Sequence, residues 1–394
     1  MRRISAEYIF TGKEILKRGI IDLNEKGEIT KVTDTGGKIS ERQSLEFYNG
    51  VIVPGFINTH CHLELSHMKG MIDNKTVKGL PGFIDEIISK RNFPENLQEQ
   101  IQKADKEMQM KGIVAVGDIS NTGDSFTIKK NSSIYYQTFI EAFTVNTEKV
   151  NETFEQSERN FHKLKQMNLS CSIVPHAAYT VPDKLYKMIS GFKNEKYKII
   201  SVHNQETPSE DDLVKNKTGA LAEVLKKKGF NLKDFSYPGN SALETNLYYL
   251  NQKDNILLIH NTFSKKTDIE FAEQFSENIY WVFCPLSNLY IEQTLPNIPL
   301  FFKKGVKTCI GTDSYASNTE LSILSELKAI VKNYPEIPFE QLVKSATVNG
   351  AKALKIDNKF GSIEPGKIPG INLISKFDYN KMTLSPDSSI KVLA

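Results

Sequence analysis

The sequence VIVPGFINTHCH at residues 51–62 marks a change in the pattern of the chain. It opens with an apolar run rich in β-branched side chains, and seven further runs of this kind follow, separated by longer segments of helical character. The eight runs lie at residues 51–57, 113–116, 134–140, 171–174, 199–202, 256–259, 279–283 and 306–310. Apolar strands that alternate with helices indicate a parallel sheet covered on both faces. Eight such units in a row predict an α/β fold of the (β/α)8 TIM-barrel type.

Helical character between these runs is clearest at residues 94–111, 148–167, 264–275, 319–331 and 339–354. An open doubly wound sheet is the alternative arrangement, and its dinucleotide-binding members carry a glycine-rich loop after the first strand. Pro54-Gly55-Phe56 stands at that point instead, so the sequence favours the closed barrel.

Short strands and turns flank the barrel pattern on both sides. Residues 1–50 contain alternating apolar runs separated by turns, and strand character returns at 360–363 and 371–374. Such short strands with turn residues between them are typical of a small β-sandwich. We therefore expect residues 1–50 and 355–394 to form a β-sandwich domain and residues 51–354 to form the barrel.

Composition excludes several classes of function. The 394 residues are 39% hydrophobic and 25% charged, and 50 basic against 47 acidic residues leave a net charge of +3. That balance argues against binding nucleic acid through bulk charge. Four cysteines are too few for a disulfide scaffold, and neither a signal peptide nor an apolar run of about 18 residues is present. We expect a cytoplasmic protein that acts on a small molecule and contacts no membrane; a homodimer is left open.

Polar side chains follow the predicted strands with a regular placement. Barrel enzymes carry their chemistry at the C-terminal ends of the strands. Five of the seven histidines occupy these ends, together with three acidic residues. The eight residues are His60, His62, Glu141, His176, His203, Glu206, His260 and Asp313.

A metal site is the first function that this placement predicts. Strand alternation puts His60 and His62 on one side, and His203 and Asp313 can complete a nitrogen- and oxygen-ligated site. One divalent ion is expected, with zinc the default and iron or manganese as alternatives. A histidine pair alone is more often part of a core, but five strand-end histidines favour a site. A metal so held lowers the pKa of bound water toward ~7.

Proton transfer needs further groups beside the metal. Glu206 lies three residues beyond His203, so it can face the metal without binding it and move a proton between water and leaving group. His260 is placed to hydrogen-bond the nucleophile or the reacting atom. Asp313 can bind metal and also accept a proton from water.

Three stretches together resemble the amidohydrolase superfamily: residues 53–62, His203-Asn204-Gln205-Glu206 and Gly311-Thr312-Asp313-Ser314. The region near the fourth strand, residues 171–176, contains no lysine that could bridge two metals, so the resemblance points to the mononuclear branch of aminohydrolases and chlorohydrolases. By that likeness the metal ligands are His60, His62, His203 and Asp313, the proton shuttle is Glu206, and the water-orienting group is His260.

Substrate contacts are predicted for six residues. His176 matches a substrate-contacting position of the family, and residues 60–66 resemble those of aminodeoxyfutalosine deaminases. Residues 63–91 are long enough to form a lid, in which Arg91 stands out as a partner for a substrate carboxylate. The six residues are Glu64, Arg91, Glu141, His176, Ser287 and Asn288.

Three functions compete for this sequence. The leading one is an aminohydrolase that releases ammonia from an amino-substituted purine nucleoside or a related heterocycle, with aminodeoxyfutalosine as the first candidate. The same site could instead expel halide or open a cyclic amide or imide. A non-catalytic scaffold is the third, but scaffolds of this kind lose ligands or the shuttle, and this sequence retains both.

Overall fold

The computed structural model describes residues 2–39, 43–91, 94–144, 146–193 and 198–394. Within these ranges the strands are β1 (Arg2–Phe10), β2 (Ile15–Lys17), β3 (Ile20–Leu23), β4 (Ile29–Thr33), β5 (Leu45–Pro54), β6 (Phe56–Cys61), β7 (Ile113–Ser120), β8 (Tyr135–Ala142), β9 (Ser170–Pro175), β10 (Ile199–Asn204), β11 (Asn255–His260), β12 (Ile279–Phe283), β13 (Thr308–Ile310), β14 (Ile371–Ser375) and β15 (Ser389–Val392).

The α-helices of the same ranges are α1 (Gly79–Lys90), α2 (Leu97–Met110), α3 (Phe126–Asn131), α4 (Val150–Gln166), α5 (Asp183–Gly191), α6 (Ser209–Asn216), α7 (Ala220–Lys227), α8 (Ala242–Tyr249), α9 (Lys266–Phe275), α10 (Pro285–Ile291), α11 (Ile298–Lys304), α12 (Ile323–Asn333), α13 (Phe339–Ala346) and α14 (Val348–Ala353). None of them has the length and hydropathy to cross a membrane.

Strands β6 to β13 form the barrel. They pair in parallel and in chain order as two four-stranded sheets, β6 to β9 and β10 to β13. Single parallel bridges join the sheets at both seams, Cys61 to Asp313 and Ala177 to His203. The predicted (β/α)8 architecture is confirmed, and its carboxyl strand ends meet at one mouth.

The continuous apolar runs became strands because both of their faces are covered. Every residue of β10, β11 and β12 is buried, with one face toward the barrel interior and the other toward helices. On the outer face of β12, for example, the rings of Trp281 and Phe283 pack edge-on against Phe301 of α11 at 5.1 and 5.0 Å. Burying a large apolar side chain contributes about 1.5–3 kcal/mol, so this layer fixes the positions of the strand ends.

The predicted first barrel strand, residues 51–57, is wrong. Two strands divide this run, with β5 ending at Pro54 and β6 beginning at Phe56. Gly55 separates them: its N–H donates to the carbonyls of Pro369 and Gly370, and an added Cβ would lie 2.4 Å from Val114 Cγ1. Only glycine fits so close to a neighbouring strand.

Residues before Gly55 belong to a second sheet. It has seven strands in the order β15-β14-β5-β1-β3-β4, with β2 also paired to β1. Strand β5 lies parallel to β1 and antiparallel to β14, so segments from both sides of the barrel share this sheet. Its interior is aliphatic and includes Ile4, Ile21, Ile52 and Leu373. The division of the chain at residues 51 and 354 stays a prediction.

The long helix predicted at residues 339–354 is also corrected. The structure has two helices, α13 and α14, divided at Thr347, whose backbone angles (φ −135°, ψ −83°) are not helical. The Thr347 hydroxyl donates to the carbonyl of Val343 at 2.6 Å. This local hydrogen bond competes with the helical pattern, as threonine side chains often do.

Candidate active site

Four side chains converge at the mouth of the barrel. His60 lies in β6, His62 follows that strand, and Asp313 follows β13 on the adjacent edge. The Nε2 atoms of His60 and His62 are 3.2 Å apart, and Asp313 Oδ1 lies 3.6 and 3.5 Å from them. Ligand atoms of His60, His62 and His203 all lie within 4.8 Å of one another. The predicted ligand set is therefore brought together.

A hydrogen bond orients His203 toward this group. Its Nδ1 lies 3.0 Å from the carbonyl oxygen of His176. Since a carbonyl can only accept, Nδ1 carries the proton and Nε2 keeps its electron pair for a cation. Glu141 Oε1 lies 3.4 Å from the same Nδ1. Glu141 thus contacts His203, a predicted ligand, and its other oxygen accepts from the Asn121 side chain at 3.0 Å.

The strand ends adopt an unusual backbone conformation. His260 and Asp313 have φ angles of 71° and 58°, and Gln205 and Asn261 are also left-handed. Residues other than glycine rarely occupy this region, and they do so at functional sites when the surroundings hold them there. Here the N–H of Asp313 donates to the carbonyl of His60 at 3.0 Å. The strain directs these side chains into the mouth.

Burial sets the protonation states of the ligands. Desolvation lowers the pKa of His60 and of His203, and it lowers that of His260 to about 3. Burial alone would raise the pKa of Asp313, but its hydrogen bond to His60 and the nearby His62 and His260 lower it well below the usual value. The neutral imidazoles of His60 and His203 beside the ionised carboxylate of Asp313 are donors of the kind that zinc and similar divalent ions require, so these residues fit such an ion.

Two serine hydroxyls hold the second oxygen of Asp313, Oδ2. Ser287 and Ser317 donate to Oδ2 at 2.6 and 2.5 Å, which leaves Oδ1 facing the histidines. Ser287 is completely buried. Its hydroxyl therefore orients the carboxylate of Asp313 and does not line the cavity, whereas the sequence predicted a contact with substrate.

Glu206 and His260 lie next to this group, since ligand atoms of His260, His60 and Asp313 are also within 4.8 Å of one another. Glu206 Oε2 lies 3.6 Å from His260 Nε2. Burial raises the pKa of Glu206 well above its usual value, and the nearby carboxylates of Asp313, Glu210 and Glu292 add to the rise. A buried carboxyl group beside an imidazole is suited to accept a proton and to release it again. Asn288 packs behind His260, with its Nδ2 3.3 Å from the ring Nδ1.

These groups line one side of a cavity of about 110 Å³. Its polar side consists of His62, His176, His203, Glu206, His260, Asp313 and Ser314. Its other side is mostly apolar and is formed by Leu65, Leu80, Phe83, Ile84, Ile87, Tyr179 and Ile291. No lysine or arginine of the described residues lines it. The cavity therefore joins a reactive polar face to an uncharged wall.

Two predicted substrate contacts do not reach this cavity. The carboxylate of Glu64 accepts the Ser120 hydroxyl and the N–H groups of Asn121, Thr122 and Gly123, at 2.5–2.9 Å. With its oxygens so occupied, Glu64 holds the loop that follows β7. Arg91 caps the C-terminus of α1, where its N–H donates to Ile87 at 2.8 Å. Only His176 of the six predicted substrate contacts lines the cavity.

The sequence does not predict the apolar wall of the cavity. Helix α1 supplies Leu80, Phe83, Ile84 and Ile87, which recur at the three- and four-residue spacing of one helical face. That spacing was readable, but it is equally typical of a helix packed on a core. Residues 63–91 were expected to act as a lid, and the structure does place this helix against the cavity.

Comparisons with known proteins decide the family. Residues 51–392 match the amidohydrolase family. The chain belongs to that family. An adenosine deaminase of Helicobacter pylori is 26% identical over 329 residues, covering 82% of this chain and 78% of the relative. A 5′-deoxyadenosine deaminase of Methanococcus maripaludis is 26% identical over 405 residues, covering 97% and 87%.

A solved structure supports the same fold for this amidohydrolase. The aminofutalosine deaminase of Helicobacter pylori, in complex with methylthio-coformycin, superposes with a TM-score of 0.82 at 23% identity. The match covers 97% of this chain and 94% of that one. The barrel and the terminal sheet are thus a known combination within the family, which is metal-dependent.

Proposed function

We propose that this amidohydrolase is a deaminase that releases ammonia from a 6-aminopurine nucleoside. The observation that carries the proposal is one cavity lined by His62, His203, Asp313, Glu206 and His260, with the Nε2 of buried His60 3.2 Å from that of His62. The deaminase activities of the relatives, on adenosine and 5′-deoxyadenosine, support the same reaction. We also propose that the active enzyme acts in the cytoplasm.

We propose one zinc ion per chain, held by His60, His62, His203 and Asp313. The three nitrogens and one oxygen of this set match zinc better than magnesium or calcium, which prefer oxygen ligands. When bound, the ion makes water acidic enough to serve as a nucleophile at neutral pH. Elemental analysis should give about one zinc per chain, and two tightly bound ions would overturn the assignment.

The protein's own groups then manage the protons. Water adds to the ring carbon that carries the amino group, and Glu206 takes a proton from the water and passes it to the ring nitrogen. His260 hydrogen-bonds the adding oxygen, because its ring lies beside Glu206. A second proton then moves from the added hydroxyl group to the amino group. The carbon–nitrogen bond breaks, ammonia leaves, and the carbonyl form of the ring remains.

The apolar residues of α1 that line the cavity indicate which part of the substrate contacts this helix. Since the reacting carbon must lie at the histidines, the remainder of the nucleoside extends toward Phe83, Ile84 and Ile87. We propose that an uncharged 5′ substituent packs on this face. The sequence had predicted a carboxylate paired with Arg91, but Arg91 does not line the cavity.

Ammonia release over a substrate panel tests the reaction. Adenosine, 5′-deoxyadenosine, methylthioadenosine, S-adenosylhomocysteine and aminodeoxyfutalosine are compared with guanine, cytosine and 8-oxoguanine as free bases. We expect the highest kcat/KM for a nucleoside with an apolar 5′ end. A clear preference for a free base would refute the nucleoside assignment, and halide release or ring opening without ammonia would refute the deaminase.

Neighbouring isoleucines of α1 test the wall. Ile87 lines the cavity, whereas Ile88 is 51% exposed on the outside of the same helix. Ile87→Ala should lower kcat/KM for methylthioadenosine about 10-fold, the equivalent of about 1.4 kcal/mol of lost apolar contact, and should affect adenosine less. Ile88→Ala is the matched control. An equal loss of kcat/KM for methylthioadenosine and adenosine would mean that Ile87 contacts the purine instead of the 5′ substituent.

A further inference from the structure

Glu210 is a buried carboxylate to which the reaction as described assigns no task. We propose that it is a positioning residue, which fixes the main chain that carries the proton shuttle Glu206. The proposal rests on the proposed function, in which Glu206 moves the protons.

The carboxylate of Glu210 binds three consecutive main-chain N–H groups. Its Oε2 accepts from Gln205 at 2.9 Å, and its Oε1 accepts from Glu206 at 2.7 Å and from Thr207 at 3.4 Å. The side chain comes from the first turn of α6 and is completely buried. Because three consecutive N–H groups donate to the two oxygens of one buried side chain, the contact fixes the position of this main-chain segment.

The segment needs such a partner because it leaves the barrel in a strained conformation. Gln205 has a φ of 46°, directly after β10 ends. Its carbonyl accepts the N–H of Phe263, and its side chain accepts the Ser264 hydroxyl at 2.6 Å. Peptide groups on both sides of the Glu206 Cα are therefore anchored. Only the side-chain torsions of Glu206 remain to be set, and they bring Oε2 to 3.6 Å from His260 Nε2.

Simple helix capping is the competing explanation. Acidic residues in a first turn stabilise a helix through its dipole, and α6 carries Glu210, Asp211 and Asp212 there. Capping does not require burial, however, and Asp212 of the same turn is exposed. A carboxylate that only capped α6 would change the stability of the protein, whereas one that positions Glu206 changes turnover.

The variant Glu210→Gln separates these explanations. The amide keeps the size of the side chain but replaces one acceptor oxygen by an NH2 group that faces N–H donors. We expect kcat to fall about 10- to 100-fold, the range typical of residues that orient a catalytic group through another contact. The KM and the zinc content should stay within about 2-fold, because neither depends on proton transfer. Asp212→Asn removes the same charge from the same helix turn and should leave kcat unchanged.

A double-mutant cycle with Glu206→Gln gives the decisive readout. If Glu210 acts through Glu206, the Glu210→Gln change should lower kcat little or not at all once the shuttle carboxylate is gone. An equal fold-loss in both backgrounds, or a Glu210→Gln enzyme within about 2-fold of wild-type kcat, would overturn the proposal.

A shorter side chain guards against loss of folding. Glu210→Asp keeps the charge and withdraws it by one methylene group, so kcat should lie between those of the wild type and Glu210→Gln. Wild-type kcat from Glu210→Asp would also overturn the proposal. The cycle can be measured on any substrate that the wild type deaminates. Wild-type inactivity on every nucleoside would therefore refute the proposed function, separately from the role of Glu210.

Discussion

The mouth of the barrel and the seven-stranded terminal sheet use acidic residues in opposite ways. In the sheet, Arg2 and Glu46 form an ion pair at 2.7 Å, with side chains 38% and 43% exposed. At the mouth, Glu206, Glu210 and Glu326 are buried. Water screens the first kind of charge, so its contribution to stability is small. Charges of the second kind cost desolvation energy and persist only where the surrounding groups satisfy them.

The hydrogen-bond partners of these buried carboxyl groups lie in the segments that follow the barrel strands. Glu326 accepts from the N–H of Leu286 and from the Asn318 side chain, both at 2.8 Å, and so fixes the loops after β12 and β13. Glu64 and Glu210 hold the loops after β7 and β10 in the same manner. Around the mouth, buried carboxyl groups give the strand-end loops a fixed shape through these hydrogen bonds. In the terminal sheet, Asp22 is a buried exception, and its partner is the side chain of Arg3 at 2.8 Å rather than a loop.

Exchanging one aspartate in each region should give the largest contrast. Asp313→Ala should lower kcat/KM by more than ~10³-fold and reduce zinc content, because a metal ligand is lost. Asp22→Ala removes the partner of Arg3 in the sheet, a contact of 2.8 Å. It should cost ~1–3 kcal/mol of stability and leave kcat/KM within about 2-fold. Metal analysis, thermal melting and steady-state kinetics check both variants. An active, zinc-loaded Asp313→Ala enzyme would remove Asp313 from the ligand set.

Replacing one glutamate by glutamine in each region should give a smaller difference in kcat. Glu206→Gln should keep the zinc but lose at least ~10²-fold in kcat, since the amide cannot carry a proton between water and ring. Glu46→Gln should leave kcat unchanged. Retained turnover in Glu206→Gln would mean that the shuttle lies elsewhere, with Glu141 as the next candidate.

The third and smallest expected effect is on the pH dependence of the free energy of unfolding. Glu210 at the mouth and Glu46 in the sheet should change it with opposite sign. Burial raises the pKa of Glu210 to about 7, while the hydrogen bonds from Arg2 and Tyr48 lower that of Glu46 to about 2. The contribution of Glu210 to stability is therefore fully present below the unfolded-state pKa of about 4.3 and is lost as pH rises to about 7. That of Glu46 is present above about pH 4.3 and is lost toward pH 2.

Melting curves across pH measure these slopes. Each group alone contributes at most about 1.4 kcal/mol per pH unit, and solvent exposure reduces the total from Glu46 to less than ~1 kcal/mol. Glu210→Gln should flatten the curve between pH 4.3 and 7, and Glu46→Gln should flatten it only below pH 4.3. Curves of the same slope in all three proteins would show that burial does not separate the regions.

The sequence predicts the barrel and the convergence of the candidate metal ligands because both depend on simple patterns. Strands buried on two faces are continuous apolar runs, and a barrel brings their C-terminal ends together, so His60, His203 and Asp313 could be placed without coordinates. The boundary at Gly55 was missed because an apolar run does not reveal which sheet pairs with it. Pairing partners from distant segments decide that point.

Other errors come from side chains whose direction the sequence does not reveal. The position of Glu64 after His62 predicts a substrate contact, but the Ser120 hydroxyl and three main-chain N–H groups after β7 donate to its carboxylate. Glu210 lies in the acidic stretch Ser209-Glu210-Asp211-Asp212, which is indistinguishable from an ordinary helix start. In both cases long-range hydrogen bonds decide the role, and these require the fold.

The position of β5 between β1 and β14 also bears on how the chain folds as it is made. Strands β1 to β5 emerge from the ribosome first, but the antiparallel partner of Val51–Pro54 arrives only with Ile371–Ser375, after the whole barrel. Until then β5 exposes an open hydrogen-bonding edge, and such edges invite association between nascent chains. The pairing of β14 with β5, and of β15 with β14, therefore completes the sheet only after the whole barrel sequence has been made.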